Sequence, residues 1–88
     1  MTKESALLNA SLVHALMVQS GYFDSVHFIV WNTGLECEVY GHYDPLKVDF
    51  SVLKEKFSLP ATEVAYCEDR EIRKHTNRVF CFTWLWVE

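Results

Sequence analysis

The chain closes on "RVFCFTWLWVE", in which every second residue from Phe80 to Trp86 is aromatic: Phe80, Phe82, Trp84 and Trp86. Alternation is the period of a β-strand, so the four rings share one face. The opposite face holds Val79, Cys81, Thr83, Leu85 and Val87, and is nearly as apolar. A sheet with one solvated face alternates apolar and polar residues; this strand asks for cover on both sides. Four exposed rings would present roughly 600–1,000 Å², more than the largest apolar patch of a typical monomer at about 300–600 Å². The row is therefore a core wall, a ligand platform or a docking surface for another chain. The second face has three possible covers: another copy of the chain, a different protein, or the sheet curling onto itself or onto the loop around residues 43–48.

The stretch "SVHFIVWNTGLECEVYGHY" is a hairpin. Val26, Phe28 and Val30 alternate with His27, Ile29 and Trp31, and Leu35, Cys37 and Val39 alternate with Glu36, Glu38 and Tyr40. Asn32-Thr33-Gly34 supplies the turn, with Gly34 suited to positive φ. Pairing Asn32 with Leu35 puts the aliphatic residues of both strands on one face and the glutamates on the other. A three-residue loop would slip the register by one and mix the faces. The first pairing is preferred because it segregates polar from apolar.

Residues 3–20 read as a helix, with Thr2 as N-cap, Glu4 in the first turn and Gly21 as terminator. Leu8, Leu12, Ala15 and Leu16 make one stripe at helical spacing, expected to be the buried face. Leu7, Ala10, Val13 and Met17 make a second stripe beside it, so the apolar sector is wider than one sheet requires. "HYDPLKVDF" is a turn region; Asp49 then caps a short helix that Phe50, Leu53 and Phe57 line and Pro60 stops. "ATEVAYCED" reads as a strand and "REIRKHTN" as a charged loop before the last strand.

The predicted order is α-β-β-α-β-β: an α+β two-layer sandwich, with two helices on one face of a four-stranded antiparallel sheet. Its 88 residues form a single domain, residues 1–88, with no linker or low-complexity segment. A domain this small hides only about 60–65% of its unfolded surface. A composition of 50% hydrophobic and 15% aromatic residues then leaves apolar surface near the outside, which points to a partner or an oligomer.

Eight basic against twelve acidic residues give a net charge of −4, which does not favour broad nucleic-acid or anionic-membrane binding. Cys37, Cys67 and Cys81 are an odd set without close pairs, the pattern of reduced thiols in a cytoplasmic protein. The run from Ala6 to Val18 is broken by Asn9, Ser11 and His14, and is too short and polar for a secretory signal or a membrane span.

Catalytic signatures are absent. No C-x-x-C or H-E-x-x-H ligand pair accompanies His14, His27, His42 and His75, so no metal or cofactor is expected; His27 and His42 fall near one end of the hairpin and can approach each other. Cys67, ahead of the loop holding His75, is the one arrangement resembling a Cys–His pair; small strand-packing residues account for all three cysteines. Glu36 and Glu38 share a face without a cleft and read as the solvated side of a strand. Arg70, Arg73, Lys74 and Arg78 place four of the eight basic residues within nine positions, interleaved with Glu68, Asp69 and Glu71.

The expected function is that of a small, non-enzymatic protein-binding regulator, adaptor or inhibitor, of the accessory or virus-encoded kind. It would act through an aromatic sheet face or edge, as a homodimer or against another protein. Phe82, Trp84 and Trp86 are the expected anchors, with Arg70, Arg73 and Lys74 at the rim. One alternative is a small-molecule pocket between helix and sheet, lined by the same rings and polarised by His27 or Tyr40. A weaker one is single-stranded nucleic-acid binding through the rings and the basic loop, although RNP-type motifs are lacking.

Overall fold

The computed structural model describes residues 2–59 and 78–87 in full, and residues 66–71 through their backbone. It forms an α+β fold with two helices and an antiparallel sheet, the class the sequence predicts.

Helix α1 spans Lys3–Ser20. The Thr2 hydroxyl accepts the Ser5 N–H at 3.1 Å, and Gly21 ends the helix in the left-handed region at φ 78°, both as the sequence predicts. Strands β1 (Ser25–Val30) and β2 (Glu36–Tyr43) form the hairpin. Phe28 lies opposite Val39 and Val30 opposite Cys37, the register that segregates the two faces. The Gly34 N–H closes the turn on the Trp31 carbonyl at 2.9 Å, with Gly34 at φ 71°.

Asp44 organises the loop after β2: its side chain accepts the Leu46 N–H at 2.9 Å, and its carbonyl accepts the Lys47 and Val48 N–H groups. Helix α2 spans Phe50–Lys56. Asp49 stands at its N-cap and serves it through the backbone carbonyl, which accepts from Val52 and Leu53; its side chain makes no capping bond. Pro60, the expected stop, lies outside the described residues.

Strand β4 (Arg78–Leu85) lies antiparallel to β2, with Trp84 opposite Cys37 and Phe82 opposite Val39. The backbone of Tyr66–Glu71, β3, pairs along the other edge of β4 and gives the order β1-β2-β4-β3. The expected strand residues 61–65 and loop residues 72–77 lie outside the described residues.

The core lies between the helices and the face carrying Val26, Phe28, Cys37, Val39, Phe80, Phe82 and Trp84. Helix α1 packs mainly on β1 and β2 and reaches β4. Helix α2 meets the same face: Leu53 is fully buried, and the Phe50 and Phe57 rings lie 5.6 and 6.1 Å from the Phe80 ring.

Burial differs from expectation in two places. The stripe predicted to face the core, Leu8, Leu12, Ala15 and Leu16, is exposed. The helix instead buries Ala6, Ala10, Val13 and Met17, with Leu7 half-buried. Volume favours the choice: Ala6 and Ala10 project nothing beyond Cβ and let the helix approach the sheet more closely than a stripe of leucines would. The second correction concerns the face of β4 turned away from the helices. Its central residues Cys81 and Thr83 are fully buried, and on β2 Glu38 is 8% exposed rather than solvated. That burial is complete within one chain, so the middle of this face needs no partner. Only its end stays open, at Leu85 and Val87.

Candidate functional site

The row of rings that the sequence singles out is a core wall. Phe82, Trp84 and Trp86 are 2%, 0% and 4% exposed. Phe80, Phe82 and Trp84 pack ring on ring at 5.0 and 6.1 Å. The rings are thus not surface anchors, because the helices already occupy the face they present. Of the expected rim residues, Arg70 lies on β3, its backbone paired with Val79, and Arg73 and Lys74 lie outside the described residues.

Exposed apolar surface sits instead on α1. Leu8, Leu12, Leu16 and Val18 are each more than half exposed, with Ala15, Ser11, Ser5 and Gln19 between them. At 100° per residue, Leu8, Leu12 and Leu16 form one ridge along the helix, and Ser11 and Ala15 form a shallow furrow beside it. No Asp, Glu, Lys or Arg occurs on α1 after Glu4. A solvent-facing helix surface normally carries its charges there. Surplus apolar residues on α1 were legible in the width of its apolar sector; which stripe would face outward was not.

A second exposed group lies where the hairpin turn meets the end of β4. Trp31 and Leu85 are 44% and 50% exposed, with Glu36 paired between their strands, and the Trp86 N–H donates to the Leu35 carbonyl at 3.1 Å.

The face of the sheet away from the helices carries a cluster that the register predicts. His27 stacks on Tyr40 with ring centroids 4.9 Å apart, and His42 meets both rings edge-on at 5.7 and 5.8 Å. His27 Nε2 lies 3.3 Å from the Ser25 hydroxyl. Burial lowers the His42 pKa, the neighbouring His27 lowers it further, and Asp24 opposes the shift. His27 and Tyr40 thus lie on the opposite side of the sheet from the helices and cannot polarise a pocket between the two layers. His14 is half-buried, its ring 6.3 Å from that of Phe28.

Among the described residues, no three His, Cys, Asp or Glu side chains gather closely enough to hold a metal ion. Cys37 and Cys81 are buried, and burial pushes Cys37 up to about 11, the opposite of an activated nucleophile. A depression of about 410 Å³ beside Tyr22, Pro45, Lys47, Val48, Asp49 and Val52 is formed largely by the loop after β2. No helix among the described residues is long and apolar enough to cross a membrane. Searches of family models, characterised proteins and solved structures find no match to this chain. Fold and surface together define a small α+β domain with one uncharged, leucine-rich helix face left open.

Proposed function

We propose that the chain is a protein-binding domain, a two-layer sandwich of two helices over a four-stranded sheet, that acts as a regulator, adaptor or inhibitor by docking rather than by catalysis. The observation that carries this reading is the outward face of α1. Leu8, Leu12, Leu16 and Val18 stand 55–62% exposed on a helix whose opposite side already fills the core. Scattered surface leucines need no explanation. A contiguous ridge of them, without a charge from Ser5 to Ser20, is the composition of an interface centre rather than of a solvated helix. The working surface is therefore the outward face of α1 and not the sheet rings, in a cytoplasmic, reduced-thiol setting.

The small-molecule reading loses its polar groups to the far side of the sheet, and the nucleic-acid reading loses its stacking rings to the core. Docking remains the reading the geometry supports best.

An apolar fluorescent dye, titrated onto dilute folded protein, tests the reading. Wild type is expected to bind the dye in its native state, and the triple variant Leu8→Glu, Leu12→Glu, Leu16→Glu to keep its circular dichroism spectrum and lose that binding. Native wild type that binds no dye, or a triple variant that unfolds, would remove the docking face.

A further inference from the structure

The side of the sheet away from the helices holds a group of side chains that docking through α1 does not use. The geometry points to a reversible binding site there for a divalent transition-metal ion of the zinc or copper type, held by the imidazoles of His27 and His42. The site stands apart from α1 and does not depend on the docking face.

Placement comes from the hairpin register. Ser25 lies opposite His42 and His27 opposite Tyr40, so the two histidines are diagonal neighbours on adjacent strands. Diagonal positions of an antiparallel pair lie within reach of ring side chains. Here the ring centroids are 5.7 Å apart. His27 Nε2 lies 3.3 Å from the hydroxyl of Ser25, the residue that faces His42 across the ladder. A ring nitrogen of His27 is thus turned towards the end of the cluster where His42 stands.

The fit follows from bond lengths. Metal–nitrogen bonds of about 2.0–2.1 Å in a tetrahedral arrangement put two imidazole centroids about 5 Å apart. The pair needs less than about 1 Å of closure, which rotation about the broad χ2 of histidine supplies. Tyr40 backs the His27 ring at 4.9 Å, and the strand pairing holds both backbones in place. Packing alone would accept any ring at these two positions. A donor nitrogen at both is what an ion requires, and imidazole suits zinc and copper.

Charge agrees. Asp24 adjoins the pair: its N–H donates to the His42 carbonyl at 2.8 Å, and its carboxylate adds negative charge beside His42. The net charge of −4 also favours a cation. Among the described residues, no third His, Cys, Asp or Glu completes the ligand set. Two protein ligands fall short of the three in a catalytic zinc site and the four in a structural one, so water fills the remaining positions. Binding is accordingly weaker than in those sites.

Zinc chloride titrated into the full chain near neutral pH, with the imidazole C–H resonances followed by NMR, reads the site directly. The His27 and His42 signals are expected to move together along one binding curve with a midpoint below about 1 mM, while those of His14 stay in place. His27→Gln and His42→Gln are each expected to weaken binding by about tenfold or more. His27 is exposed, so His27→Gln keeps the fold and decides the matter even if His42→Gln does not fold. Magnesium, which prefers oxygen ligands, is expected to move neither signal. Signals of His27 and His42 that stay fixed up to about 1 mM zinc overturn the site. So does a midpoint that His27→Gln leaves unchanged. Magnesium that produces the same shifts as zinc would make the effect one of acidic surface charge and overturn ligation by the imidazoles.

Discussion

The Phe23 ring occupies the space a side chain at Gly41 would need: a Cβ built there would lie 2.5 Å from Phe23 Cδ1 and 2.8 Å from Cγ. Phe23 has little freedom to yield. It stacks on Phe80 at 6.1 Å and 13°, and also meets the Tyr43 and Phe57 rings. Glycine in the middle of β2 is thus the site of a close approach rather than a turn. Gly41→Ala is expected to destabilise the fold by about 1–3 kcal/mol, as overpacking does. Thermal melting checks it, with a fall of roughly 4–8 °C per kcal/mol for a domain of this size. An unchanged melting temperature would mean that Phe23 does not close over Gly41.

The tryptophans divide by environment. Trp31 is 44% exposed, whereas Trp84 and Trp86 are buried and their indole N–H groups find no hydrogen-bond partner among the described residues. Trp31→Phe is expected to shift the emission of the folded protein to the blue and to remove most of its quenching by acrylamide. Emission that stays red and quenchable would put the aromatic row back on the surface.

His42 predicts a direction for acid sensitivity. Its folded pKa lies below its ordinary 6.5, first through burial and then through His27. As pH falls through 6.5 the unfolded chain takes up a proton that the folded chain resists, so this contribution to stability is present above 6.5 and is lost on acidification. Urea midpoints measured at pH 7 and about 5.5 are expected to fall in wild type and to fall less in His42→Gln. Equal slopes in the two proteins would contradict the assignment.

Cys37 acts at the other end of the scale. Its folded pKa of about 11 stands above the ordinary 9.0, so the stability it contributes is complete below 9 and is lost as pH rises through 11. Cys37→Ala is expected to flatten that alkaline decline. Iodoacetamide should leave Cys37 and Cys81 unmodified in the folded chain and alkylate both in denaturant, which mass spectrometry reads. Rapid labelling of either thiol in the native protein would contradict its burial.

What the sequence could and could not disclose follows from how many signals agreed at each position. The hairpin was legible because Gly34 and the separation of glutamates from aliphatics select the same register, and His27 then falls beside His42 as a consequence. The caps at Thr2 and Gly21 were legible for the same local reason. The rotation of α1 was not, because two separate stripes along it are both apolar and hydrophobicity alone ranks the leucines first. The deciding factor was volume, with Ala6 and Ala10 allowing a closer approach to the sheet than leucines would, and volume matching depends on contacts far apart in the chain. The role of Trp84 and Trp86 was obscured in the same way, since both faces of β4 are apolar. Burial of Cys81 and Thr83 within one chain removes the need for a partner that the sequence seemed to impose there.

The central claim, that α1 carries a core face and a separate docking face, is tested most directly by two adjacent residues. Leu12 is 57% exposed and Val13 is 5% exposed. Leu12→Glu is expected to melt close to wild type, within about 0.5 kcal/mol. Val13→Glu, which buries an unpaired charge, is expected to lose several kcal/mol or not to fold at all. If Leu12→Glu instead melts as low as Val13→Glu, the leucine ridge belongs to the core and the docking face does not exist.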